Sequence, residues 1–267
     1  MDAALANNRP SGFSRTIGCP GSRRMLAKAP NRQRSSTYAD EGSAAHTLIY
    51  RCLTTNTIPV EHLGDVIQEE AAWPVNANMV WATSVMVAWC RTLMNHPKRR
   101  WLSIEDRLKI PGLDMPNGGT GDFLVLIGRN LHVVDYKHGA GVYVEVNGNS
   151  QFLSYGHGAL STMPAELAAD VEKLTLTCVQ PRCGREAVRK WSLSVEDLRG
   201  WLDNVAYPAV ERSRAPDAPL VPGDWCKFCE ASGFCTAPLQ AMAALMGDMV
   251  APATDISRPE VKKDYEF

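Results

Sequence analysis

The chain has 267 residues, which is enough for one large domain or two small ones. Its hydrophobic content of 45% is typical of a globular protein, and its net charge of -1 does not by itself indicate nucleic-acid binding. No apolar run is long enough for a membrane span and the N-terminus lacks a signal-peptide core, so we expect a cytoplasmic protein without a membrane partner. In that compartment the eight cysteines favour metal binding over disulfides.

Basic residues are concentrated in two places. Residues 9–34 contain seven arginines and lysines and no acid, and Lys98-Arg99-Arg100 forms a second cluster. Such patches suit contact with the phosphates of single-stranded DNA. A solvated N-terminal segment would give the first pattern equally well.

Apolar periodicity predicts the elements of the first half of the chain. Helical patterns cover residues 23–28 and 38–53, and Pro74 is placed to start a long helix that ends before Pro97. Residues 103–110 alternate as a strand, with Ile104, Leu108 and Ile110 on one face. Residues 122–127 and 131–136 continue the sheet as a hairpin around a turn at 128–130.

The second half alternates helices and strands. Residues 142–146 are predicted to extend the sheet, and 174–179 and 187–193 to form two more strands. Helices are predicted at 149–160, 165–171, 195–213 and 238–249, the third of them capped by Ser194 with Asp197. With no repeat and no clear linker, we predict one α/β domain over residues 1–249 and a mobile tail at 250–267.

The hairpin carries the residues with the most informative chemistry. Asp122 starts its first strand, and Asp135 and Lys137 lie near the end of its second. Side chains alternate along a strand, so Asp135 and Lys137 share a face, and antiparallel pairing carries Asp122 back beside Asp135. Two carboxylates and an ammonium therefore converge at one end of the sheet.

Two adjacent carboxylates repel each other unless a cation neutralises them. Mg²⁺ or Mn²⁺ takes oxygen ligands and would stabilise charge on a phosphate, while Lys137 would hold or activate the attacking water. An acid-x-Lys triplet is also common on a solvated edge strand, so this pattern alone leaves both interpretations open.

Five elements together resemble the PD-(D/E)XK nuclease superfamily, in the branch of RecB-, AddB- and Cas4-type exonucleases, and most closely its phage-borne members. They are His46, Gly119-Thr120-Gly121-Asp122, Asp135-Tyr136-Lys137, Gln151 and Tyr155. The resemblance implies a restriction-endonuclease-like fold, with a mixed central sheet flanked by helices.

The same resemblance implies a role for each residue. His46, Asp122, Asp135 and the Tyr136 carbonyl would bind the metal, and Asp122, Asp135 and Lys137 would form the catalytic set. Gln151 and Tyr155 would contact the DNA backbone or support the site. Glu105 precedes the hairpin where relatives often carry an acid, and it is an additional candidate.

Cys226, Cys229 and Cys235 form a Cys-x₂-Cys-x₅-Cys cluster that is typical of a metal centre, and Cys19 is the best candidate for the fourth ligand. Thiolates select zinc or iron–sulfur clusters. The resemblance implies a [4Fe–4S] cluster that joins the N- and C-terminal segments. The alternative is Zn²⁺ with Cys178 and Cys183 beside two of the C-terminal cysteines.

We therefore expect a DNA nuclease, and specifically an exonuclease that acts on single-stranded DNA or DNA ends, with recombination or repair proteins as candidate partners. The alternative is a catalytically inactive DNA-binding or recombination-partner protein with the same fold.

Overall fold

The computed structural model describes residues 5–29, 37–68 and 72–249. The helices are α1 (Phe13–Gly18), α2 (Ser22–Leu26), α3 (Thr37–Thr55), α4 (Ala77–Met94), α5 (Ser150–Thr162), α6 (Ala165–Ala168), α7 (Val195–Trp201), α8 (Tyr207–Arg214) and α9 (Ala237–Met249). The strands are β1 (Val66–Gln68), β2 (Ala72–Pro74), β3 (Arg99–Ile110), β4 (Met115–Ile127), β5 (Asn130–Tyr136), β6 (Lys173–Val179) and β7 (Val188–Ser194).

A five-stranded mixed sheet lies at the centre, in the order β3-β4-β5-β6-β7. Only β5 and β6 run parallel, and the crossover between them contains α5 and α6. β1 and β2 form a separate antiparallel pair. The predicted α/β class, with a mixed sheet flanked by helices, is confirmed.

Each face of the sheet packs against its own set of helices. We call the first set the α3 layer, because α3 and α4 bury residues such as Leu48 and Met86 against Phe123 and Val125 of β4. The second set is the α5 layer, in which Phe152 of α5 packs with the next residues of β4, Leu124 and Leu126. The alternation along β4 therefore divides its apolar side chains between two cores.

Two predicted elements differ in the structure. Pro74 belongs to β2, and the long helix begins only at Ala77, where the Asn76 side chain accepts a hydrogen bond from the Met79 N–H at 2.9 Å. Residues 142–146 form no strand. The Gln180 side chain holds this loop instead, donating to the Val142 carbonyl at 2.7 Å.

The predicted helix at 195–213 is helical throughout, but its hydrogen-bond pattern changes along its length. Ser194 caps it as expected, with its hydroxyl accepting from the Asp197 N–H at 2.9 Å. A π-helical segment, Leu202–Ala206, separates α7 from α8. Pro208 follows in the first turn of α8, and because it has no N–H it cannot continue the α-helical ladder.

The N-terminal segment packs against the chain that precedes the C-terminal cysteines. The Gly21 N–H donates to the Pro219 carbonyl at 2.8 Å, and Arg24 donates to the Ala218 carbonyl at 3.0 Å. Arg23 is buried and pairs with Asp114 at 2.6 Å. Two arginines of the basic N-terminal segment therefore have structural partners, contrary to a purely phosphate-binding interpretation.

The predicted tail at 250–267 lies outside the described residues, as do Arg32 and Arg34. Among the helices that the structure describes, none combines the length and the apolar character needed to cross a membrane.

Candidate functional site

The candidate site lies where the alternation of side chains along β3 and β4 reverses, so that equivalent positions face the α3 layer on one side of this point and the α5 layer on the other. Before Glu105, Ile104 packs toward the α3 layer, whereas Leu108 and Ile110 after it are buried in the α5 layer. Glu105 itself has a φ of +53°, in the left-handed region that non-glycine residues rarely adopt. The prediction that Ile104 shares a face with Leu108 and Ile110 is therefore wrong, because one left-handed residue reverses the alternation.

β4 changes in step with β3. Phe123 packs in the α3 layer, whereas a side chain at Gly121 would meet Leu124 and Leu108 of the α5 layer at 3.0 and 3.2 Å. Asp122 lies between these two positions, so its carboxylate stands at the boundary of the layers. It can therefore meet residues from both.

The α3 layer contributes His46 to this boundary. The His46 Nδ1 atom lies 3.1 Å from Glu105 Oε1 and 3.5 Å from Asp122 Oδ2. Within the described parts of the chain, these three residues form a group whose ligand atoms all lie within 4.8 Å of one another. Of the metal ligands predicted from the sequence, His46 and Asp122 belong to this group, and Glu105, the additional candidate, joins them. Asp135, predicted as a ligand, is not among the three.

The catalytic lysine predicted from the sequence lies beside this group. Phe123 pairs with Val134, which brings Asp122 and Asp135 to neighbouring positions, as the hairpin predicted. Lys137 Nζ lies 2.7 Å from Asp135 Oδ2, and the Tyr136 N–H donates to Asp122 Oδ2 at 2.7 Å. The main chain of Tyr136 is thus at the site, although it contacts Asp122 through its N–H group.

Electrostatics at the site reflect an excess of negative charge. Burial lowers the pKa of His46, but Asp122, Glu105 and Asp135 outweigh burial and raise it to about 9. Burial also raises the pKa of Asp122, and the neighbouring carboxylates add to that rise. The surrounding carboxylates therefore favour the protonated form of His46, and Lys137 adds a second positive charge beside Asp135.

α5 approaches the site from the other layer. Gln151 Nε2 donates to the Tyr155 hydroxyl at 3.2 Å, as their spacing of four residues allows. Burial raises the pKa of Tyr155, and the charge of Asp135 raises it further. A Cβ at Gly119 would lie only 2.8 Å from Tyr155 Cε1, so glycine at this position lets β4 approach the ring.

A chain of polar contacts behind the site was not predicted from the sequence. The Tyr136 hydroxyl lies 2.8 Å from His138 Nδ1, and His138 Nε2 lies 3.2 Å from Glu41 Oε1. Arg182 Nη1 reaches the same Glu41 oxygen at 3.0 Å. The spacing of two residues between Tyr136 and His138 indicates that their side chains share a face. Only the fold shows that Glu41 contacts His138 and that Arg182 contacts Glu41.

The four cysteines predicted to share a metal line one small cavity. They are Cys19, Cys226, Cys229 and Cys235. Backbone N–H groups point at two of the sulfur atoms, with the Val221 nitrogen 3.3 Å from Cys19 Sγ and the Gly223 nitrogen 3.5 Å from Cys226 Sγ. Burial raises the pKa of the Cys19 thiol, and the hydrogen bond from the Val221 N–H opposes that rise.

The other cysteines have different surroundings. Arg189 donates to Cys178 Sγ at 3.3 Å and to Cys183 Sγ at 3.5 Å, so these two thiols face a guanidinium. The alternative zinc set would need them beside the C-terminal cysteines, and the structure does not bring them there. Cys52 and Cys90 are buried in the α3 layer, as expected for core residues.

The cluster Lys98-Arg99-Arg100 lies at the start of β3, whereas the site lies near the middle of that strand. Five residues of strand, or about 17 Å, separate Arg100 from Glu105. Arg100 Nη2 pairs with Asp170 at 2.8 Å. Lys98 and Arg99 remain exposed there.

The fold and the site define a mixed α/β protein with a candidate divalent-metal centre. The chain belongs to the family described as "Protein of unknown function (DUF2800)", whose model matches residues 5–266. Among solved structures, "Crystal structure of SSO0001" aligns with a TM-score of 0.28 at 11% identity, covering 81% of this chain and 94% of that chain. So low a score supports no structural argument.

Proposed function

We propose that this protein is a metal-dependent DNA nuclease of the PD-(D/E)XK superfamily, in its RecB/AddB/Cas4-like branch, and that it acts as an exonuclease on single-stranded DNA or DNA ends. One observation carries the proposal. The ligand atoms of His46, Glu105 and Asp122 lie within 4.8 Å of one another, and the Asp135–Lys137 pair stands beside them.

The donor set fits a hard divalent ion. Two carboxylates and one imidazole offer oxygen and nitrogen ligands of the kind that Mg²⁺ and Mn²⁺ accept. Asp135 stands beside this group, paired with Lys137. When bound, the ion would polarise the scissile phosphate and stabilise its developing charge. It would also replace the proton that His46 carries in the metal-free protein.

The protein's own groups supply the remaining steps. Lys137, fixed by its 2.7 Å contact with Asp135, can donate a hydrogen bond to the attacking water or to a phosphate oxygen. The Gln151–Tyr155 pair approaches from α5 and can contact the DNA backbone. The chain of polar contacts through His138 holds Tyr136, and therefore fixes the strand segment between Asp135 and Lys137.

For the cysteine cavity we propose a [4Fe–4S] cluster with a structural role. Four thiols that join the N-terminal and C-terminal segments in one cavity support it, and two backbone N–H groups donate hydrogen bonds to the sulfur atoms. Zinc bound by the same four thiols is the alternative, and metal analysis separates the two.

A nuclease assay with labelled DNA tests the proposal. We expect cleavage in Mn²⁺ or Mg²⁺ and none in EDTA. Lys137→Gln and Asp135→Asn should each lower the rate by about 10²-fold or more. Lys173→Gln, an exposed lysine at the other end of the sheet, is the matched control and should cleave normally.

Comparing linear with circular single-stranded DNA shows whether a free end is required. Cleavage by Lys137→Gln at the wild-type rate, with circular dichroism unchanged, would refute the site. DNA binding without cleavage by the wild type would favour the inactive DNA-binding alternative.

A further inference from the structure

The hairpin of β3 and β4 extends past the candidate metal site as a projecting arm. Residues 106–110 of β3 pair only with residues 115–121 of β4, because β5 pairs with β4 from Phe123 onward. The arm begins at Glu105 and Asp122, so any chain that follows its surface is led directly to the site.

The two faces of the arm differ completely. α5 covers one face, where Leu108, Ile110 and Met115 are buried. The other face carries Arg107, Lys109 and Thr120, all exposed. This exposed face is on the side of the α3 layer, because the reversal at Glu105 turns the odd-numbered residues of β3 toward it.

The exposed face presents unmatched positive charge. Neither Arg107 nor Lys109 forms an ion pair with any described residue, although Arg107 donates to the Asn117 carbonyl at 2.9 Å. Asp106 is the nearest acid in sequence, and its carboxylate accepts a hydrogen bond from Ser103. Elsewhere on the hairpin, Asp114 is neutralised by arginines.

The spacing of these charges suits a phosphodiester chain. Arg107 follows Glu105 by two residues and Lys109 follows Arg107 by two more, so each step is about 7 Å along the strand. That step is comparable with the separation of neighbouring phosphates in a single nucleic-acid strand. A groove of about 560 Å³ lies at the tip of the arm, with Arg107, Lys109 and Gly118 in its lining. Asp114 also lines it, but this carboxylate is paired with arginines.

We propose that the exposed face of the arm binds the phosphate backbone of the nucleic-acid substrate, with Arg107 and Lys109 each contacting one phosphate and directing the strand to Glu105 and Asp122. This inference rests on the proposed nuclease function and identifies which surface of the protein holds the substrate. The sequence alone suggested a different surface, Lys98-Arg99-Arg100.

The test compares two double variants with the same loss of charge on the same strand. Arg107→Gln with Lys109→Gln removes the proposed contacts, and Lys98→Gln with Arg99→Gln removes two exposed charges at the far end of β3. Binding of a fluorescent single-stranded oligonucleotide is measured by anisotropy in Ca²⁺ over a range of salt concentrations. Cleavage rates in Mn²⁺ are measured in parallel.

Two lost phosphate contacts should reduce the slope of log Kd against log salt by about 1.4, which corresponds to roughly 25-fold weaker binding at 0.1 M salt. The KM for cleavage should rise by a similar factor while kcat changes little. The control variant should keep the wild-type slope.

The arm would be ruled out as the binding surface if Arg107→Gln/Lys109→Gln kept the wild-type salt slope, or if the control variant lost more of that slope. In either case, cleavage by the wild-type protein would leave the proposed nuclease function intact. A wild-type protein that neither binds nor cleaves DNA would overturn both proposals. Circular dichroism of each variant identifies misfolding, and the single variants Arg107→Lys and Lys109→Arg, which keep the charge, should retain the slope.

Discussion

Glu105 combines a candidate ligand position with an unfavourable backbone conformation, so two substitutions there should separate the two properties. Its φ of +53° costs a non-glycine residue about 1 kcal/mol, and glycine adopts the same conformation at little cost. Glu105→Gln removes the charge and keeps the strain, whereas Glu105→Gly removes both. In EDTA, the free energy of unfolding of Glu105→Gly should therefore exceed that of Glu105→Gln by about 1 kcal/mol.

The effect of metal should be lost in both variants. At a Mn²⁺ concentration of 100 times Kd, the wild-type protein gains about 2.7 kcal/mol of stability from binding. If loss of the Glu105 carboxylate weakens binding about 100-fold, the gain at the same concentration falls to about 0.4 kcal/mol. The expected difference of about 2 kcal/mol is well above the error of a denaturation experiment.

Urea unfolding of the three proteins, with EDTA and with Mn²⁺, measures all six free energies. Full Mn²⁺ stabilisation of Glu105→Gln would show that the carboxylate is not a ligand. Equal stability of Glu105→Gly and Glu105→Gln in EDTA would show that the left-handed conformation stores no strain. Either result would refute the interpretation that Glu105 adopts a strained backbone conformation in order to position its carboxylate as a metal ligand.

Three further predictions concern stability. Asp114→Asn should lower the free energy of unfolding by about 1–3 kcal/mol, because it leaves the buried Arg23 guanidinium without its carboxylate. Hydrogen bonds from arginines hold the pKa of Asp114 below its usual value. The loss of stability, measured by urea unfolding, should therefore be full above about pH 5 and shrink as pH falls toward 2. Gly119→Ala should destabilise by about 1–3 kcal/mol and lower the cleavage rate, because the new Cβ would lie 2.8 Å from Tyr155. Cys226→Ser should lose the iron and the visible absorbance of anaerobically purified protein and unfold at lower urea.

Each of these has a control on the same chain. A pH-independent deficit in Asp114→Asn would contradict the ion-pair explanation. Gly42→Ala should be neutral or stabilising, because nothing lies within 4 Å of its Cβ. Cys183→Ser should keep the wild-type metal content, and a colourless wild type that contains zinc would refute the iron–sulfur cluster.

The sequence predicted those parts of the site that depend on local periodicity. Alternation along β5 placed Asp135 beside Lys137, and the hairpin placed Asp122 next to Asp135. The Gln151–Tyr155 pair followed from helical spacing. These contacts need only the register of one hairpin or one helix.

What the sequence could not predict depends on one backbone angle and on contacts across layers. Nothing in the residues around Glu105 marks a left-handed conformation, so a regular strand was predicted and the reversal of its faces at this residue was missed. Glu41 contacts both His138 and Arg182 only because α3 lies beside the segments that follow β5 and β6. The basic N-terminal segment was misread in part, because Arg23 is needed to neutralise Asp114 inside the fold.

Mn²⁺ binding at the carboxylate–imidazole cluster tests the central claim most directly. Electron paramagnetic resonance of Mn²⁺ titrated into the protein should show one tightly bound ion per chain, and cleavage of single-stranded DNA should rise with its occupancy. Asp122→Asn should lose both the bound ion and the cleavage, whereas the exposed control Asp203→Asn should keep them. Cleavage that continues in EDTA, or an Asp122→Asn variant that binds Mn²⁺ and cleaves DNA as the wild type does, would contradict the assignment of this cluster as the metal centre of a nuclease.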